Sequence, residues 1–155
     1  MKYSTIIIPK GRIRISDWRY SCRISLINII LPDTLTKIGN SCFYNCENLT
    51  EINIPNSVTF IGEDCFYNCI SLTKITLSNS IKKLNPNCFY NCNSLTEIVI
   101  PEGVEEIGDN CFCGCLSLKN IYLPSTLKKI GKNCFFNCPK HNLIPHQDCN
   151  INDLL

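Results

Sequence analysis

Shifted by 23 residues, this chain of 155 residues meets its own letters again in the same order, and a period of that length restricts it to stacked copies of one small unit. Residues 49–68, 72–91 and 95–114 each read L-x-x-[IV]-x-[IL]-[PS]-x-x-[IV]-x-x-[IL]-x-x-x-C-F-x-[NG], followed directly by Cys. Bulky apolar residues fall into columns: Leu26, Leu49, Leu72, Leu95 and Leu118; Ile29, Ile52, Ile75, Ile98 and Ile121; Leu31, Ile54, Leu77, Ile100 and Leu123. Two further columns are Ile38, Ile61, Leu84, Ile107 and Ile130, then Phe43, Phe66, Phe89, Phe112 and Phe135. A unit this small cannot bury its own apolar side, so each must cover the next.

Within the unit, I-x-I or I-x-L has the period of a short half-buried strand, and Pro32, Pro55, Pro101 and Pro124 close it by removing a donor. Ser78 is the exception in that column. The stretch 61–69 places apolar residues at Ile61, Cys65, Phe66 and Cys69, a spacing that predicts a short helical or 3₁₀ turn across the back. Asn45, Asn68, Asn91 and Asn137, with Gly114 in the same column, read as turn formers. The predicted fold is an α/β right-handed solenoid, with short parallel strands about 4.8 Å apart on the concave side and these turns on the back.

The whole of 1–155 reads as one domain, with degenerate repeats over 6–31, regular repeats over about 32–138 and a degenerate cap over 139–155. In the first full unit Arg19 and Arg23 replace the two cysteines and Tyr20 replaces phenylalanine. At the far end Leu143-Ile144-Pro145 arrives about two residues early, so the last strand is expected to be shortened or lost. Leu154 and Leu155 would cover the open edge or fray.

With these residues in place, the repeat resembles the BspA-like, or Treponema pallidum type, leucine-rich-repeat family, whose consensus has an L-x-x-I-x-L-P strand and an A-F-x-x-C back segment. The resemblance covers roughly 6–145. It departs from the consensus where Cys42, Cys65, Cys88, Cys111 and Cys134 stand for alanine. It implies a non-catalytic binding protein, with adhesion or host interaction at a cell surface as the family's proposed role, and it supplies no catalytic residue.

Ten of the thirteen cysteines lie in two ladders, the second being Cys46, Cys69, Cys92, Cys115 and Cys138; Cys22, Cys113 and Cys149 stand apart. Because the ladders follow the core period, buried reduced thiols filling a tight slot are the first reading, with disulfides or a metal as alternatives. Cys111, Cys113 and Cys115 form the densest cluster. The nearest Cys–His couple for nucleophilic chemistry is Cys138 with His141, and no phosphate-cradling, dinucleotide, serine-hydrolase or zincin string occurs. The chain therefore reads as no enzyme and calls for no cofactor. Asn48-Leu49-Thr50 matches a glycosylation acceptor, but its Leu49 belongs to a core column.

A net charge of +2 gives no long-range pull toward nucleic acid or membrane, although Lys2, Lys10, Arg12, Arg14, Arg19 and Arg23 against Asp17 make the first 25 residues basic, as a solvated end or an anion patch. Ile6-Ile7-Ile8, closed by Pro9, is too short for a secretory signal, no apolar run spans a membrane, and the expected compartment is the cytoplasm, with the cell surface as the family's alternative. Recognition is expected on the outward strand positions: Glu51, Lys74, Glu97 and Asn120 in one column with Asn28, and Asn53, Thr76, Val99 and Tyr122 in the next with Ile7 and Ile30. Mixed charge beside apolar and aromatic groups favours a protein or peptide partner, with Tyr122 as the anchor. The alternatives are a structural fragment of a larger solenoid and a thiol-based metal or redox protein.

Overall fold

A computed structural model describes residues 4–140 and 142–148, and it is a solenoid of parallel strands. The first coil holds β1 (Ser4–Ile7) and β2 (Arg14–Ile15), the second β3 (Leu26–Ile30) and β4 (Lys37–Ile38), the third β5 (Glu51–Asn53) and β6 (Phe60–Ile61). The fourth holds β7 (Lys74–Thr76) and β8 (Lys83–Leu84), the fifth β9 (Glu97–Val99) and β10 (Glu106–Ile107), and the sixth β11 (Asn120–Leu123) and β12 (Lys129–Ile130); β13 (Asn142–Pro145) opens a seventh. Every pair is parallel, and β5 faces β7 in the register that the repeat demands, Glu51 on Lys74 and Asn53 on Thr76.

Each coil thus has two strands where the sequence pointed to one. The second is only two residues long, outward then inward in side-chain direction, and forms its own sheets β2-β4-β6 and β8-β10-β12. In the second, third, fifth and sixth coils it is followed by Gly39, Gly62, Gly108 or Gly131, whose lack of a side chain lets one coil sit on the last. A Cβ at Gly62 would lie 2.5 Å from the Asn40 backbone nitrogen.

The back is built of turns, with no helix among the described residues. Tyr44 N–H donates to Ser41 O and Cys46 N–H to Phe43 O, the i to i+3 spacing of a 3₁₀ turn. A left-handed residue every fourth position breaks the run before it becomes helix: φ is 51° at Ser41 and 55° at Asn45, and 54° at Asp64 and 57° at Asn68. Asn and Asp tolerate that conformation because their short side chains pair locally. The column Asn45, Asn68, Asn91, Gly114 and Asn137 is where the sequence placed turns; the matching column Ser41, Asp64, Asn87, Asn110 and Asn133 lies one residue before the first cysteine. The flanking amides reach outward to the next coil, as Phe43 N–H to Cys65 O and Asn45 N–H to Tyr67 O.

The core is a file of identical columns. Phe43, Phe66, Phe89 and Phe112 are fully buried and stack at 5.3 Å between centroids, and Tyr20 continues the file onto Phe43 at 5.7 Å, in the offset geometry that aromatic pairs favour. The last strand is retained rather than lost: β13 pairs with β11 over four residues, Leu143 beside Ile121. The chain reaches that register one residue early rather than two, since Leu143 follows Ile121 by 22, and the shorter connection is absorbed before the strand begins. The tail expectation for Leu154 and Leu155 lies outside the described residues.

The second cysteine of each coil is a hydrogen-bond donor. Cys69 Sγ lies 3.2 Å from Phe43 O, Cys92 Sγ 3.2 Å from Phe66 O, and Cys115 Sγ 3.1 Å from Phe89 O, each adding to a backbone amide on the same carbonyl. Burial pushes the thiols of Cys46 and Cys134 up to about 12, and those of Cys65, Cys69, Cys92 and Cys111 well above the usual range. An unfolded thiol loses its proton near pH 8.5 while the folded one keeps it, so the unfolded chain binds fewer protons above that pH and stability falls as pH rises. The contribution is complete below about pH 8.5 and drains between there and about pH 12. Cys46 and Cys134 alone remove about 3 kcal/mol per pH unit in that window. Denaturant titrations by circular dichroism at pH 7, 9 and 10 are expected to show little change to pH 8.5 and then a steep fall in midpoint, blunted in a Cys46→Ala, Cys134→Ala variant.

Candidate functional site

The strand face carries the residues that the repeat pointed to, in columns. Asn28, Glu51 and Lys74 stand in register, as do Glu97 and Asn120; in the next column Asn53 faces Thr76, and Val99 faces Tyr122. Ile7 is 68% exposed, Val99 60% and Tyr122 38%, while the intervening Ile52, Ile98 and Ile121 are buried. Alternation about a parallel ladder does this, because successive side chains leave opposite faces. No ion pair ties Glu51, Lys74 or Glu97 to a neighbour among the described residues, so their charges face solvent.

The outer column runs one residue further than the repeat pattern indicated. Ile144 stands beside Tyr122, and these two with Val99, Pro101, Pro124 and His146 line a hollow of about 550 Å³. The 22-residue step into β13 hid Ile144 from a 23-residue alignment. On the opposite strand ladder the charges are spent on each other: Lys83 and Lys129 lie 3.2 and 3.1 Å from Glu106, and Lys128 lies 2.8 Å from Glu105. These pairs hold the Glu105 and Glu106 carboxyls below the ordinary carboxylate range, chiefly through the Lys128 and Lys129 hydrogen bonds.

The cysteine readings separate. All twelve cysteines among the described residues are free thiols, and among those residues no three Cys, His, Asp or Glu side chains converge as a metal would need. In the densest cluster, Cys115 turns to Phe89 O and Cys111 lies in the core. Cys138 bonds to Phe112 O at 3.1 Å, and its sequence neighbour His141 lies outside the described residues, as does Cys149. Cys22, in the first coil, is exposed. The glycosylation reading meets a busy side chain: Asn48 Nδ2 donates to Ile24 O at 2.8 Å and Leu49 is fully buried. Of the basic N-terminal set, Lys10, Arg12, Arg14, Arg19 and Arg23 are exposed, with Arg19 near the Tyr20 ring, and Lys2 lies outside the described residues.

Parallel-strand coils with an L-x-x-I-x-[IL] strand and an exposed, column-ordered strand face define the leucine-rich-repeat class. Residues 4–142 match six copies of the BspA type leucine rich repeat region, and the chain belongs to that family. A leucine-rich repeat protein of Eubacterium ventriosum has a similar structure, with a TM-score of 0.84 and 27% identity, over 94% of this chain and 40% of that one. A leucine-rich repeat protein of Bacteroides ovatus is 31% identical, with a TM-score of 0.60, over 88% of this chain and 47% of that one. The Treponema pallidum leucine rich repeat protein shares the fold at a TM-score of 0.72 and 22% identity, over 92% of this chain and 79% of that one. The chain thus spans less than half the length of the first two. No curated protein sequence matches it. No helix among the described residues is long and apolar enough to cross a membrane.

The thiols offer a direct check on the packing. In a Cys149→Ser background, Cys22 is expected to react with Ellman's reagent at once in native buffer, half-buried Cys138 more slowly, and the other ten only after denaturant. Several fast thiols, or a denatured total below twelve, would show that the ladders are open or oxidised.

Proposed function

We propose that the chain is a non-catalytic module that binds a protein or peptide on its strand face. The supporting observation is the pair of outward columns, Glu51, Lys74, Glu97, Asn120 and Asn53, Thr76, Val99, Tyr122, all exposed but the partly buried Asn120 and held in register by parallel pairing of β5 with β7 and of β9 with β11. Side chains on a fixed ladder lose little freedom on binding, and an aromatic beside a hollow is the usual kind of interface anchor. The buried, protonated thiols support the same reading, since a thiolate nucleophile needs an electropositive, accessible setting. A reducing compartment is part of the proposal, because the ladder thiols act as packing groups and donors.

Adhesion or host interaction is the finer form of this reading and rests on family kinship alone. The module's test is partner recovery by the native chain and by Tyr122→Ala, Glu97→Lys, followed by a binding titration with the recovered partner. A loss of at least tenfold in affinity is expected, and unchanged affinity would remove the strand face from the interaction.

A second reading is favoured by coverage: the chain spans 47% and 40% of two relatives, and its first coil leaves a cleft of about 480 Å³ beside Ile6, Ile8, Ile15 and Tyr20. In that reading the chain is one length of a longer stack, and its ends meet further coils. Sedimentation velocity from 1 to 200 µM then shows association that grows with concentration, whereas a monomer throughout rejects it.

A further inference from the structure

The fourth coil departs from the repeat twice, and each departure has a visible effect. Asn85 stands where the second, third, fifth and sixth coils have Gly39, Gly62, Gly108 and Gly131. A Cβ in that column runs into the preceding coil, 2.5 Å from backbone at Gly62 and 2.6 Å at Gly108, so Asn85 keeps the fourth coil off the third. Its side-chain Nδ2 supplies the bond to Ile61 O that a glycine amide makes elsewhere, as Gly62 N–H does to Ile38 O. The short-strand ladder breaks there, and β8 pairs with β10 but not with β6.

On the strand face the same coil is tied backward. Ser78, standing for proline, donates to Val58 O; Asn79 N–H donates to Asn56 Oδ1, and Ser80 Oγ to Asn56 O. With one side pressed forward and the other drawn back, the coil tilts, and β7 parts from β9 while remaining on β5. Elsewhere along the face the bonds Ile54 N–H to Thr76 O, Ile100 N–H to Tyr122 O, Thr73 N–H to Thr50 O and Lys119 N–H to Thr96 O are made, and between β3 and β5, where Leu31 lacks the bond to Asn53 O, Thr50 N–H still donates to Ile27 O. Their counterparts from Leu77 to Val99 and from Thr96 to Thr73 are not. Ile75, alone among Ile29, Ile52, Ile75, Ile98 and Ile121, is partly exposed. The opening is a cleft of about 430 Å³ with Lys74, Thr76 and Asn79 on one wall and Glu97, Val99 and Pro101 on the other.

We infer that this cleft is the entry point for the ligand: an extended peptide segment crossing the strands, with an acidic side chain on Lys74, a basic one on Glu97 two residues away, and the amide between them over the unpaired edges. The inference rests on the strand face being the binding surface. Two chemical features select this occupant. Unpaired backbone donors and acceptors face each other across the cleft and are met by main-chain amide. Opposite charges stand one coil step apart, a step too wide here for ladder bonds, and side chains two apart in an extended chain lie about 7 Å from each other on one face. A single-sign polyanion meets Lys74 and is repelled by Glu97.

Amide-resolved NMR on the full chain supplies the test. Free, the Leu77 and Thr96 amides exchange with solvent at least tenfold faster than those of Ile54 and Thr73. Blocked tripeptides Asp-Xaa-Lys, added as an array, shift the amides of residues 74–79 and 96–99 saturably, while Asp-Xaa-Asp and Lys-Xaa-Lys bind at least tenfold more weakly. Lys74→Glu moves the preference to Lys-Xaa-Lys. Ser78→Pro with Asn85→Gly, which restores the regular coil, slows the two amides to the rate of their counterparts and abolishes the shifts. Protection of both amides in the free chain, no saturable shift at the cleft, or shifts indifferent to charge or to the restoring pair overturns the inference. Charge-selective binding near Tyr122 and Ile144 alone overturns it while leaving the strand face as the binding surface; shifts confined to the back sink both readings.

Discussion

The coils of this molecule approach one another to hydrogen-bonding distance around most of their perimeter, and most of the sequence answers to that requirement. Three ladders hold the stack, one on each strand side, interrupted at the fourth coil, and one running unbroken along the back, where Phe43, Phe66, Phe89 and Phe112 donate to Cys65, Cys88, Cys111 and Cys134. Because the rise is common to all three, a residue too large on one side tilts the whole coil. The glycine after the short strand, the left-handed Asn and Asp positions and the small thiols are the residue types that fit such an approach. Interiors packed to crystal-like density leave no slack to absorb an exception.

That constraint made much of the molecule legible in its letters. The period, the strand columns, the outward positions from Glu51 to Tyr122 and the turn column at Asn45, Asn68, Asn91 and Asn137 all follow from the pattern because each occupies one fixed place in the coil. What stayed hidden was whatever the repeat expresses weakly. A two-residue strand such as Lys37–Ile38 has too little alternation to register as one, and it forms because the neighbouring coils supply its partners. Of the short helical or 3₁₀ turn anticipated on the back, the 3₁₀ form is the one that stands, since left-handed residues four apart stop each turn from extending. The final strand looked misplaced because a fixed period cannot follow a connection one residue shorter.

The exceptions to a repeat are as informative as its agreements. Ser78 was visible as a break in the proline column, whereas Asn85 becomes meaningful only beside the glycine column and the clash that a Cβ brings there. Together they switch the partners of a single coil, which pairs backward through β7 and forward through β8. Regular coils give a uniform ridged surface, and one tilted coil gives that surface a place.

The aromatic file passes through the tilted coil unbroken, with Phe66 on Phe89 at 5.3 Å and Tyr67 on Tyr90 at 4.6 Å, the ring planes nearly parallel in both cases. The stack is therefore bound like a book, with its spine along the rings and its pages free at the fourth leaf. Bending load on such a rod concentrates at that leaf: flexing toward the spine spreads the pages, and flexing away presses them shut. Tension along the rod is carried first by the spine.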